Sequence, residues 1–209
     1  MTHFKVNENI CNALVVLNST IDIEREKESD SKKPYMQFDK YNIIYGKDSW
    51  IVFSRQMLGN HPGETFDFLS RCQYCFSNII FGESCRESLE YSTSQCPRQL
   101  VYCLSCINDK YQSFVASYPK KRQLNDLLAA FAGRYNFYKA GSIQGSQKGK
   151  DACQFMYNGH KLNCEGHFKI QYPDSDHTEK IHARIYFYHG DIPGEDRNLF
   201  VGSMGRHAE

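Results

Sequence analysis

The stretch Ile181–His207, IHARIYFYHGDIPGEDRNLFVGSMGRH, decides how this chain is read. A β-rich run centres on Ile185–Tyr188, and a second short run starts at Leu199. The turn-rich GDIPGEDRN between them makes an antiparallel hairpin the expectation. Working outward, GHFKIQY (166–172) sets His167, Lys169 and Gln171 against Phe168, Ile170 and Tyr172, the period of a strand with one apolar face. Further upstream, KKRQLNDLLAAFAGRY places Leu124, Leu127, Leu128 and Phe131 at i, i+3, i+4 and i+7, a helical stripe. Pro119 suits its start and Gly133 its end. The class expected is α+β, with a helix leading into a C-terminal antiparallel sheet.

Two Cys-x-x-Cys pairs, Cys72/Cys75 and Cys103/Cys106, dominate the middle of the chain, with 27 residues between them. Two residues between thiols allow a tight turn to aim both sulfurs at one ion, so four thiolates can close a tetrahedral zinc site. Such a site has no open position and is structural. The expectation is a zinc-knuckle module over residues 71–110 with zinc on Cys72, Cys75, Cys103 and Cys106; Cys85 or Cys96 could replace one ligand. Two other readings compete: a disulfide framework and plain buried thiols. The opening twenty residues carry no basic n-region and no small-residue cleavage site. With an odd count of nine cysteines, a reducing, cytoplasmic setting is expected over an oxidised one.

Charged residues at 23% and apolar residues at 41% describe a folded globular chain, and no apolar run reaches the ~20 residues of a membrane span. Net charge is only +1, which argues against a surface that is basic all over. The charge is unevenly placed. Residues 1–70 hold eight Lys/Arg against ten Asp/Glu, whereas residues 119–150 hold Lys120, Lys121, Arg122, Arg134, Lys139, Lys148 and Lys150 against Asp126 alone. A local basic stretch is the better nucleic-acid signal, although such runs are also solvated faces.

Three segments follow: an N-terminal α/β segment (1–70), the zinc-knuckle module (71–110), and the basic helix, loop and sheet (111–209). In the first, DIEREKESDSKKP (22–34) reads as a solvated loop. Tyr41–Tyr45 and Trp50–Phe53 read as two β-rich runs around a turn. KAGSIQGSQKGK (139–150) reads as a flexible basic loop.

Titratable residues gather on the C-terminal strands. His167 and Lys169 share one strand face, His182 and Arg184 another, and Arg206 and His207 follow the last strand beside Gly205, where a backbone could approach a phosphate closely. Histidine can serve as base and acid near neutrality, and cations can stabilise a phosphorane. That is the equipment of metal-independent RNA cleavage; for any single residue, a solvated surface group is the competing reading. No restriction-type Glu-x-Lys core, P-loop, nucleophile elbow or dinucleotide fingerprint is present.

HARIYFYHGDIPGEDRNLFVGSMGRH resembles the terminal hairpin of the RelE/HigB/ParE-type bacterial ribonuclease toxins, over about 30 of the 209 residues. The resemblance implies site roles for Arg184, Arg206 and His207; His167 and Lys169 are added from strand period alone. Two functions are therefore expected to compete. One is a zinc-stabilised, nucleic-acid-acting protein, a ribonuclease of a toxin or defence system, with His167, Lys169, Arg184, Arg206 and His207 catalytic. The other is a non-catalytic zinc-knuckle adaptor for a protein or nucleic-acid partner. No membrane partner is expected.

Overall fold

The computed structural model describes residues 3–4, 14–17, 42–118, 123–142, 151–172, 181–197 and 199–205. The chain divides into two units, residues 1–56 and 57–209. In the first, β1 (His3–Phe4) pairs antiparallel with β2 (Leu14–Leu17), which pairs in parallel with β3 (Asn42–Tyr45). Helix α1 (Gly46–Asn60) follows β3 directly. The strand expected up to Tyr45 is thus observed, but Trp50–Phe53 is helical, with the Trp50 and Phe53 rings 6.0 Å apart one turn along α1. A short apolar run satisfies either period, and no proline interrupts this one before Pro62.

The second unit is mixed α and β. Helices α2 (Thr65–Cys75), α3 (Ser84–Gln95), α4 (Pro97–Ser117) and α5 (Leu124–Arg134) accompany strand β4 (Ile79–Phe81). Strands β5 (Lys139–Ser142), β6 (Gln154–Tyr157), β7 (His160–Asn163), β8 (Gly166–Tyr172), β9 (Ile181–His189) and β10 (Leu199–Gly205) follow. Five strands form one sheet in the order β4-β10-β9-β8-β5. The expected hairpin is β9–β10, antiparallel with a bulge between Val201 and Ser203. β4 joins the other side of β10 in parallel.

Period two divides the sheet. Phe168, Ile170, Ile185, Phe187 and Val201 pack with the apolar stripes of the helices in the main core. The opposite parity contributes Tyr186 and Phe200 to a smaller cluster with Leu162, Cys153 and Cys164 around the β6–β7 hairpin. That hairpin turns at Asn158-Gly159, whose φ values of 47° and 76° are those of the two-residue turn that matches strand twist. Tyr111 of α4 sits at the centre of the main core, its ring edge-on to Phe131 at 5.1 Å and to Phe187 at 5.2 Å.

The residues expected to form zinc knuckles have a different local structure. Cys72 and Cys75 lie within α2, and Cys103 and Cys106 within α4. Three-residue spacing is also one helical turn. Phe68, Cys72 and Cys75 make one buried stripe, and Leu100, Cys103, Leu104, Ile107 and Tyr111 make another. The segment between the pairs carries β4 and α3 rather than metal-binding turns. Lys139–Ser142, expected in a loop, is strand β5, held by four successive pairings to β8. Helix α5 agrees with its expected stripe, but it runs through Gly133 to Arg134 and is closed by a cap at Tyr135–Asn136. Asn136 adopts φ 55°, and the Phe137 N–H donates to the Ala132 carbonyl at 2.9 Å, the pattern of a left-handed C-terminal cap.

Candidate anion-binding face of the sheet

The register of three strands builds one row of cations. Lys139 of β5 lies directly across from Lys169 of β8, and Lys169 directly across from Arg184 of β9. In antiparallel pairs, residues in register share a face, so the three side chains leave the sheet on the side away from the main core. Burial, then Arg184 and Lys139, hold the Lys169 ammonium below the usual lysine range. Among the described residues no carboxylate forms an ion pair with any of the three; the Arg197–Glu195 bridge, at 2.8 Å, involves other residues. Like charges directly opposed across strands destabilise a sheet. The row thus sets three cations side by side at a cost to the sheet.

The next row is chemically related. Gly141, His167 and Tyr186 are in register across the same three strands. The His167 and Tyr186 rings stand 5.2 Å apart, and the Arg184 guanidinium donates to the Tyr186 hydroxyl at 3.1 Å. His167 is nearly buried, at 7% exposure. A side chain at Gly141 would begin 3.8 Å from His167 Cε1, in ordinary van der Waals contact with the imidazole.

Of the residues expected to be catalytic, His167, Lys169 and Arg184 thus come together; Arg206 and His207 lie outside the described residues. Of the basic stretch, Lys139 joins the row, whereas Arg134 stands over the Phe114 and Tyr135 rings at 5.9 and 6.0 Å, at the end of α5. Lys120, Lys121, Arg122, Lys148 and Lys150 lie outside the described residues. The close approach expected of Gly205 exists, but to protein. A Cβ there would lie 2.2 Å from the Ser88 carbonyl oxygen of α3, so the missing side chain admits a helix backbone. Tyr186 and Gly141 were not legible as site residues. For Tyr186 a signal existed, since it is two residues from Arg184 and shares its face.

The eight described cysteines are buried free thiols; Cys11 lies outside the described residues. Burial pushes Cys85 and Cys96 up to about 12, and burial, then Cys75 and Cys85, push Cys72 well above the usual thiol range. Cys103 is raised by burial, then by Cys106 and Cys96. Cys72, Cys75 and Cys85 are therefore neighbours, as are Cys96, Cys103 and Cys106. Yet among the described residues no three His, Cys, Asp or Glu side chains converge closely enough to hold a metal ion. No described helix is long and apolar enough to cross a membrane.

No protein-family model, curated protein or solved structure matches the chain. The described residues form an α+β protein with a row of cations on one sheet face.

Proposed function

We propose that the sheet face carrying Lys139, Lys169 and Arg184 binds the phosphate backbone of a nucleic acid. The observation that carries this is the in-register row of three cations without a carboxylate partner among the described residues. A polyanion offers several phosphates to such a row, and binding releases their counterions. The test is the binding of labelled single-stranded oligonucleotides across a salt series. Three phosphate contacts give a log–log slope of about −2, and Lys139→Gln or Arg184→Gln removes about 0.7 from its magnitude. Melting curves check that Arg184→Gln, which loses its Tyr186 contact, stays folded. Absence of salt-sensitive binding to RNA and DNA overturns the proposal.

Cleavage of RNA is a second reading, favoured by the position of His167 two residues along from the Lys169–Arg184 pair and on the same face. A base at this face would take the 2′-hydroxyl proton, the 2′-oxygen would attack phosphorus, and an acid would protonate the departing 5′-oxygen, leaving a 2′,3′-cyclic phosphate. Lys169 and Arg184 would stabilise the charge on the phosphorane. The resemblance of the sequence His182–His207 to the terminal hairpin of the RelE/HigB/ParE toxins points the same way, and brings Arg206 and His207 into the proposal. RNA cut in the presence of EDTA, and slowed roughly 10²-fold by His167→Ala or His207→Ala in folded protein, carries this reading. Binding without cleavage leaves the chain a non-catalytic nucleic-acid module.

A further inference from the structure

A cavity of about 380 Å³ opens where α4, the α5–β5 turn and β8 meet, on the α4 side of the sheet, across the β5 edge from the cation row. Aromatic residues Tyr102, Phe137 and Tyr138 line it, with Gln99, Asn136 and the Lys169–Ile170 stretch of β8. Its volume falls at the lower end of the range of small-molecule sites, which runs from roughly 300 to 1,000 Å³.

The walls are held in place. The left-handed cap at Asn136 fixes where Phe137 and Tyr138 leave the helix. The Tyr102 hydroxyl donates to the Tyr135 carbonyl at 2.9 Å, and the Tyr102 ring meets Phe137 edge-on at 6.3 Å. Two large rings are nonetheless left to solvent, Tyr102 at 48% and Tyr138 at 37% exposure. The Lys139 ammonium stands 5.2 Å from the Tyr138 ring centroid. The cavity and the row thus meet at the β5 edge, through Lys139 and Tyr138.

Flat rings to stack on, amides that both donate and accept, and the Lys139 cation at the rim suit one ligand chemistry. We propose that the cavity takes a single unpaired nucleobase, stacked on Tyr138 or Tyr102, from a strand that crosses the β5 edge at Lys139 and whose phosphates continue along Lys169 and Arg184 on the other face. The inference rests on the phosphate-binding reading of that row and narrows it to single-stranded nucleic acid. A paired base keeps both faces stacked and its edge engaged, so a duplex cannot supply this ligand. Ribose and deoxyribose strands carry the same bases, and the sugar is left for the experiment to separate.

The experiment compares four fluorescein-labelled decamers of equal length: a mixed-sequence RNA, its DNA counterpart, an abasic deoxyribose strand, and a blunt DNA duplex. Both base-bearing single strands bind at least tenfold more tightly than the abasic strand and the duplex. Tyr138→Ala removes roughly tenfold of that preference while leaving the salt slope unchanged, and Tyr138→Trp restores it. Tighter binding of the RNA than of the DNA identifies a ribose strand as the source of the base, and the converse identifies deoxyribose. Salt-sensitive binding that is equal for all four ligands overturns the base pocket and leaves the phosphate row standing. Failure of every ligand to bind overturns both. Retention of the full preference by folded Tyr138→Ala and Tyr102→Ala proteins also overturns the pocket.

Discussion

Replacing Lys169 with methionine separates a binding role from a structural one, because the two roles predict opposite signs. Methionine keeps the length and apolar stem of the lysine and removes the middle charge of the row. Two like-charge pairs disappear, Lys139–Lys169 and Lys169–Arg184. Directly opposed pairs of this kind cost roughly 0.2–1 kcal/mol each. The free protein should gain about 0.5–2 kcal/mol, the lower end applying because all three side chains reach solvent and are screened. The lowered pKa of Lys169 has the same sign: the fold already disfavours that charge. Urea unfolding at low salt reads the gain, and repeating it at about 0.5 M salt, where the Debye length is only a few ångströms, should shrink it. The same variant should bind single-stranded oligonucleotide more weakly, with about 0.7 less salt slope. Loss of stability at low salt, or an unchanged binding slope, refutes the reasoning, because Lys169 would then serve the fold and not an anion.

Two further outcomes follow from the packing. Gly205→Ala should cost roughly 2–4 kcal/mol in denaturant unfolding: its Cβ would enter to 2.2 Å of a backbone oxygen, and relief moves α3 off β10, straining the Ser92 hydroxyl to Met204 carbonyl bond of 3.0 Å. Gly133→Ala, on α5 with nothing within 4 Å, should instead stabilise by about 0.5–1 kcal/mol. The described cysteines should react with a thiol reagent far more slowly in native protein than in denaturant, since at pH 8 a thiol of pKa about 12 is only about one part in 10⁴ thiolate. Zinc on Cys72, Cys75, Cys103 and Cys106 is tested in the same samples: about one zinc per chain, whose removal lowers the melting temperature, would carry that proposal over plain thiol packing.

What was legible in the sequence was whatever has a period and a punctuated end. The β9–β10 hairpin, β8 and α5 each repeat every two or 3.6 residues and are bounded by turn or cap residues. The cysteine pairs failed as a guide to local structure because a spacing of three serves a metal turn and a helical face equally well. Only the stripe partners, Phe68 for one pair and Leu100, Leu104 and Ile107 for the other, distinguish the two. The β6–β7 hairpin carries an Asn-Gly signal at 158–159, but its flanking strands are only four residues long, too short for a clear period of two. The cation row was the hardest to foresee. Lys139, Lys169 and Arg184 are far apart in the chain, and only strand register puts them side by side.

β10 lies between β4 and β9, yet it pairs Ile79–Phe81 in parallel with Leu199–Val201. During synthesis β4 leaves the ribosome long before the strand that completes it, and β9 must wait as well. Until β10 arrives, each presents a bare apolar edge, the kind that pairs with another chain. Such distant pairing also makes folding slow, because the long loop closes before its contacts form. A nascent chain stalled before residue 199 is thus open to swapping its missing strand with a neighbour's, and the yield of folded protein depends on how quickly that last strand slides into the gap.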